Sequence, residues 1–168
     1  MTTNRLGARL VLIIAIVATI GCDRVTKHVA ATNLPTRSTL SFLADTCRLQ
    51  YAENTGAFLN LGAAWPLPVR TVIFTVGNAL LVIFLAFAAM RFRWSKPGQL
   101  GAALFLSGAA SNVVDRIAYG RVIDFINVGI GPLRTGIFNV ADVAIMVGAC
   151  LFMLEGYRSH SRITSAEG

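Results

Sequence analysis

Charge is scarce in this chain. Asp, Glu, Lys and Arg supply 14% of its 168 residues, against roughly 25% in soluble globular domains, and mean hydropathy is +0.64. That poverty excludes an ordinary water-soluble domain and points to a membrane protein. Cysteine is almost as rare. Cys22, Cys47 and Cys150 make no disulfide framework, no CxxC and no Cys/His cluster, so neither a metal nor a cofactor is expected. The net charge of +7 comes from basic residues at the ends of apolar runs. It forms no stripe interleaved with aromatics, and nucleic acid is therefore excluded as a partner. No internal repeat is present, so a repeat-built transporter gains no support. One domain over residues 1–168 is expected.

What the chain does have is long apolar runs. Residues 71–90 and 97–114 carry no charge, nor do residues 10–22, and about 17 to 25 apolar residues cross the hydrocarbon of a bilayer. A fourth run, 137–154, contains Asp142. A carboxylate costs about 2.5 to 3.5 kcal/mol at a helix centre, which places Asp142 near one end of its span. The expected fold is an all-α polytopic membrane protein with spans at about 6–23, 69–90, 97–116 and 137–155. Arg5 and Arg9 precede the first span, Arg91, Arg93 and Lys96 fill the second-to-third loop, and Arg158 and Arg162 follow the fourth. By the positive-inside rule both termini are cytoplasmic, and residues 33–66 and 119–136 face outward. Trp65 before Pro66 then reads as an outer interface anchor. The run ending Thr19-Ile20-Gly21-Cys22 invites comparison with a secretory or lipoprotein signal sequence. Three further spans, and Thr19 where a branched aliphatic is usual, argue against it.

The first outward segment nearly alternates at Arg48-Leu49-Gln50-Tyr51, turns at Asn54-Thr55-Gly56 and continues into Ala57-Phe58-Leu59. A small β element resting on the membrane is predicted. The second, punctuated by Gly120, Gly129, Gly131, Pro132 and Gly136, is too short to cross and lies at the outer surface.

Ionisable residues near hydrocarbon are functional candidates unless a partner explains them. Asp23 and Lys27 stand four apart with the acid first, the favourable order for a structural helical ion pair. Asn112, Asp115 and Arg116 share one face at the outer end of the third span; they either orient substrate or satisfy one another. Asp124 lies in the apolar frame Val122-Ile123-Asp124-Phe125-Ile126. Asp142 follows Asn139, which could simply cap the fourth helix with Asp142 in its first turn. Because the third span runs outward and the fourth inward, Asp124 and Asp142 can meet near the outer leaflet. Two close carboxylates cannot both ionise cheaply, so one keeps a proton while the other acts as a base. That suits peptide hydrolysis, but a proton-coupled carrier could use the same pair, and a noncatalytic lipid-binding protein is a third reading.

Five blocks in order narrow the choice: Asp23-Arg24-Val25-Thr26-Lys27, Asn54-Thr55-Gly56-Ala57-Phe58, Asn112-Val113-Val114-Asp115-Arg116, Val122-Ile123-Asp124-Phe125 and Phe138-Asn139-Val140-Ala141-Asp142. Together they resemble lipoprotein signal peptidase, or signal peptidase II. The resemblance implies a bacterial inner-membrane aspartic peptidase that removes signal peptides from diacylglyceryl-modified prolipoproteins. It implies Asp124 and Asp142 as the catalytic dyad, with Asp23, Lys27, Asn54, Gly56, Asn112, Asp115, Arg116 and Asn139 lining or supporting the site. It also implies four helices, an outward β cradle and a small outward helix or loop. Contact with membrane lipids and a monomeric state are expected. Two departures stand out. The family usually has a paired glycine and a further glycine before the asparagine, where this chain has Ser107-Gly108-Ala109-Ala110-Ser111-Asn112, so looser helix packing or different hydrogen bonding is expected there. After Asn-x-Gly, Phe58 follows Ala57 directly, which alters the cradle's contacts.

Overall fold

The computed structural model describes residues 3–34, 38–56, 62–91 and 94–164; the altered run at Ala57, Phe58 and Leu59 lies outside them, as does Arg93. Helix α1 spans Thr3–Asn33. A continuous helical run follows the first outward segment, made of α2 (Leu67–Arg70), a π-helical segment (Thr71–Gly77) and α3 (Asn78–Arg91). Helix α4 spans Lys96–Tyr119 and α5 spans Val140–Thr164. Pro66 immediately before α2 and Pro97 in the first turn of α4 sit where a missing N–H costs least. Ser95 caps α4 by accepting from the Gly98 N–H at 3.3 Å. Gly120 ends it with φ 68°, a left-handed conformation that glycine adopts without a side-chain clash.

Among the described residues, the runs Leu67–Ala89 and Val140–Tyr157 are long and apolar enough to cross a membrane. Helices α1 and α4 have the length, but polar and small residues dilute their apolar character. Burial is inverted relative to a water-soluble protein. On α1, Leu10, Val11, Ile13, Ile14 and Val17 are exposed, whereas Asp23 and Lys27 are buried, as are Ser107, Ser111, Asn112 and Asp115 on α4. An apolar solvent favours this arrangement, with polar groups turned inward to find partners.

Glycine lets α4 and α5 approach closely. A Cβ on Gly108 of α4 would lie 2.5 Å from the Ala141 carbonyl oxygen of α5, and one on Gly148 would lie 2.6 Å from the Gly101 oxygen. Ser107, in place of one family glycine, bonds the Leu104 carbonyl of its own helix at 3.1 Å. Gly108 therefore keeps the close approach beside it.

Four antiparallel strands stand at one end of the helices: β1 (Leu40–Phe42), β2 (Cys47–Asn54), β3 (Val122–Ile130) and β4 (Leu133–Arg134), in the order β1-β2-β3-β4. The sheet is larger than the sequence predicted, because the second outward segment supplies β3 and β4. In the β1–β2 turn, the Arg48 guanidinium and the Ser41 hydroxyl bonded to Asp45 hold its carboxyl below the usual range. The β2–β3 register shifts between Leu49 and Ala52, after which Ala52 faces Asp124 and Asn54 faces Val122. An irregularity of this kind re-aims side chains, and beyond it Asn54 and Asp124 are hydrogen-bonded.

Candidate active site

Asn139 and Asp142 open α5 with reciprocal bonds. The Asp142 N–H donates to Asn139 Oδ1 at 2.9 Å, and the Asn139 N–H donates to Asp142 Oδ2 at 3.1 Å. This is a capping box with Asp as its acidic member, and the carboxylate sits at the helix N-terminus, where the dipole favours negative charge. Asn139 does more than cap. Its side-chain amide donates to Asp124 Oδ1 at 2.7 Å, so one fully buried residue joins both aspartates.

Asp124 projects from β3, and its other oxygen accepts from Asn54 Nδ2 on β2 at 2.9 Å. Asn54 Oδ1 in turn accepts from the Gly56 N–H at 3.0 Å, shaping the turn after β2. Burial pushes the Asp124 carboxyl up to about 6; the bond from Asn54 opposes the rise, and the charge of Asp142 adds to it.

Behind the aspartates, Asn112 Nδ2 donates to Asp142 Oδ1 at 2.9 Å while its Oδ1 accepts from Lys27 Nζ at 2.8 Å. Lys27 spends its other donors on Asp23 and Asp115, each at 2.7 Å. Asp23 also accepts from the Ser111 hydroxyl at 2.6 Å and, through Oδ1, from the Ala141 N–H in the first turn of α5 at 3.0 Å. Arg24 closes the group, pairing with Asp115 and donating to the Ser111 carbonyl at 2.7 Å. Two acids and two bases thus form a neutral cluster among α1, α4 and α5.

Both aspartates line a cavity of about 370 Å³ with Asn54, Asn78, Asn112, Arg116 and Asn139 among apolar walls that include Val113 and Ile145. Arg116 donates to the Gly56 and Asn112 carbonyls at 2.8 and 3.2 Å. A cavity holding two linked carboxylates and a guanidinium can place a water beside a peptide bond and steady its carbonyl.

Asn54, Asn112, Arg116, Asp124, Asn139 and Asp142 therefore meet at this cavity, whereas Asp23, Lys27 and Asp115 lie in the cluster behind it. Gly56 contributes backbone. The triplet Asn112, Asp115 and Arg116 divides: the first two serve Lys27, and Arg116 reaches the cavity. Sequence reading missed three participants. Ser111 and Arg24 gave no signal of spacing, and Asn78 was passed over inside an uncharged run. It also left β3 unread, although the β-branched pattern of Val122-Ile123 and Ile126-Asn127-Val128 was visible. Among the described residues, no group of three or more His, Cys, Asp or Glu side chains could hold a metal ion.

The family model for signal peptidase (SPase) II matches residues 14–158. A lipoprotein signal peptidase of Chlorobium phaeobacteroides (strain BS1) is 37% identical over 142 residues, covering 79% of this chain and 86% of that protein. One from Syntrophotalea carbinolica is 30% identical and covers 92% and 94% of the two chains. A bacterial membrane enzyme solved by the in meso method superposes with a TM-score of 0.81 at 23% identity, over 90% of each chain, a likeness of fold.

Proposed function

The chain belongs to the signal peptidase II family, and from that premise we propose that it is an intramembrane aspartic endopeptidase. It removes signal peptides from diacylglyceryl-modified prolipoproteins by cleaving before the lipidated cysteine. The observation that carries the reading is the bridge: Asn139 binds Asp124 with its side chain and Asp142 with its backbone N–H, at the wall of one cavity.

In this mechanism the ionised carboxylate takes a proton from water as the water oxygen attacks the scissile carbonyl carbon. The protonated carboxyl gives its proton to the carbonyl oxygen. The tetrahedral intermediate then collapses: the C–N bond breaks, the departing amine takes the proton that the first carboxylate accepted from water, and the second aspartate recovers its proton from a hydroxyl of the intermediate, which restores the dyad. Arg116, with only donors to offer, suits a substrate carbonyl. Asn54, Asn112 and Asn139 hold the dyad, while Asp23, Lys27 and Asp115 fix the helices that carry it. A lipid anchor keeps the substrate at the dyad's depth and lowers the entropic cost of the encounter.

The proposed setting is the bacterial inner membrane. Four spans form one domain over residues 1–168, both termini are cytoplasmic, the dyad lies near the outer leaflet, and the enzyme acts as a monomer. Inverted burial and basic flanks support it. Hydrolysis of a defined lipopeptide by purified protein tests the function. Asp124→Asn and Asp142→Asn should each abolish cleavage while insertion and folding persist, and robust turnover by either folded variant would sink the dyad assignment.

A further inference from the structure

Asn78 is the single side-chain amide between residues 71 and 90, and the mechanism above leaves it unused. It stands where the π-helical segment Thr71–Gly77 gives way to α3. Such segments are rare and recur at functional sites. The Asn78 backbone N–H bonds the Thr75 carbonyl three residues back, and its side-chain Nδ2 takes the Phe74 carbonyl at 2.9 Å. The side chain is thereby drawn toward the N-terminal end of the run. That consumes a donor and leaves Oδ1, which has no hydrogen-bond partner among the described residues, on a side chain that lines the cavity.

The other amide oxygens of the cavity are engaged: Asn54 Oδ1 by the Gly56 N–H, Asn112 Oδ1 by Lys27 and Asn139 Oδ1 by the Asp142 N–H. Arg116 offers only donors, and the aspartates are reserved for proton transfer. Among the described residues, Asn78 Oδ1 is then the side-chain amide oxygen of the cavity left open to a substrate. A peptide that reaches the dyad must be extended around its scissile bond, which frees backbone N–H groups from helical pairing. At membrane depth each unpaired group costs several kcal/mol.

We infer that Asn78 Oδ1 accepts a hydrogen bond from a backbone N–H of the prolipoprotein beside the scissile bond, making Asn78 a substrate-binding residue of the cavity that Arg116 also lines. The inference rests on the peptidase reading and names the group that its substrate presents to α3.

The test pairs Asn78→Leu with synthetic lipopeptides in which one backbone N–H at a time, near the cleavage site, is replaced by an ester oxygen. Asn78→Leu should lower kcat/KM on the all-amide substrate about tenfold, the scale of one lost hydrogen bond, with thermal unfolding in detergent lowered by no more than loss of the bond to the Phe74 carbonyl explains. One ester substrate should be correspondingly poor for the wild type and no poorer for the variant; Asn78→Gln, which keeps an acceptor, should recover part of the loss. Equal kcat/KM for wild type and Asn78→Leu overturns the inference, as does an equal loss on every substrate, the mark of a structural defect. Should the variant not fold, the wild type decides: insensitivity to every ester replacement overturns it. Failure of the wild type to cleave the all-amide substrate overturns the peptidase reading as well, so the two failures are distinguishable.

Discussion

Asp124 and Asp142 each use both carboxylate oxygens as acceptors from neutral N–H groups, yet their settings differ. Asp142 has a helix N-terminus beneath it, whereas Asp124 sits on a strand, and burial lifts its carboxyl to about 6. Its proton is therefore held to higher pH than the ordinary aspartate value of about 3.9 and is lost as pH rises through about 6. Cleavage should follow a bell whose limbs belong to the coupled pair. The acidic limb marks protonation of the base, and the alkaline limb, displaced above the ordinary aspartate range by burial and by the neighbouring carboxylate, marks loss of the acid. The same shift has a stability sign. The fold favours protonated Asp124, so this contribution is full below about 3.9 and is lost as pH rises through about 6. Following release of the cleaved signal peptide against pH, with folding monitored in parallel, checks the profile; cleavage undiminished far into alkali contradicts a shared proton.

At the scale of the element, the question is what keeps α1, α4 and α5 in register behind the dyad. Lys27 donates to acceptors on α1 and α4 while Asp23 bonds the start of α5. Removing one partner strands buried charge, which typically costs about 3 to 5 kcal/mol. Lys27→Ala should accordingly lower both thermal stability in detergent and cleavage; lost activity at unchanged stability would assign Lys27 a direct role. Gly108→Val tests the other contact, where any side chain meets the Ala141 carbonyl next to Asp142. Overpacking of about 1 to 3 kcal/mol and a fall in kcat are expected, measured by unfolding and single-turnover cleavage. The sequence announced the Asp23–Lys27 pair because i, i+4 spacing is a local rule. It also exposed the cap at Asn139, another local rule. The reach of Lys27 to Asn112 and Asp115, more than eighty residues away, follows from packing and has no local signature. Strand β3 was hidden differently: Gly129 within it and Gly120 and Gly131 beside it read as loop punctuation, while pairing with β2 through a shifted register decides its conformation.

For the whole molecule, orientation follows from where charge and thiols stand relative to the helices. Arg91 and Lys96 flank the short connection between α3 and α4, whereas the sheet that carries Asp124 lies at the opposite ends of those helices. If basic flanks fix that connection in the cytoplasm, the sheet and the dyad must face outward. Cys47 begins β2 and is a free thiol, only partly buried; Cys22 and Cys150 are free thiols on α1 and α5. Two substitutions, Cys22→Ala and Cys150→Ala, leave Cys47 as the single thiol without touching the cavity residues. In intact spheroplasts a membrane-impermeant maleimide should then modify Cys47, and disrupting the membrane should add little further labelling. Labelling that requires disruption would put β2 in the cytoplasm, invert the molecule and separate Asp124 from the outer leaflet. Should Cys47 stay unlabelled in both conditions, Leu43→Cys, at an exposed position of the β1–β2 turn, reports the same side.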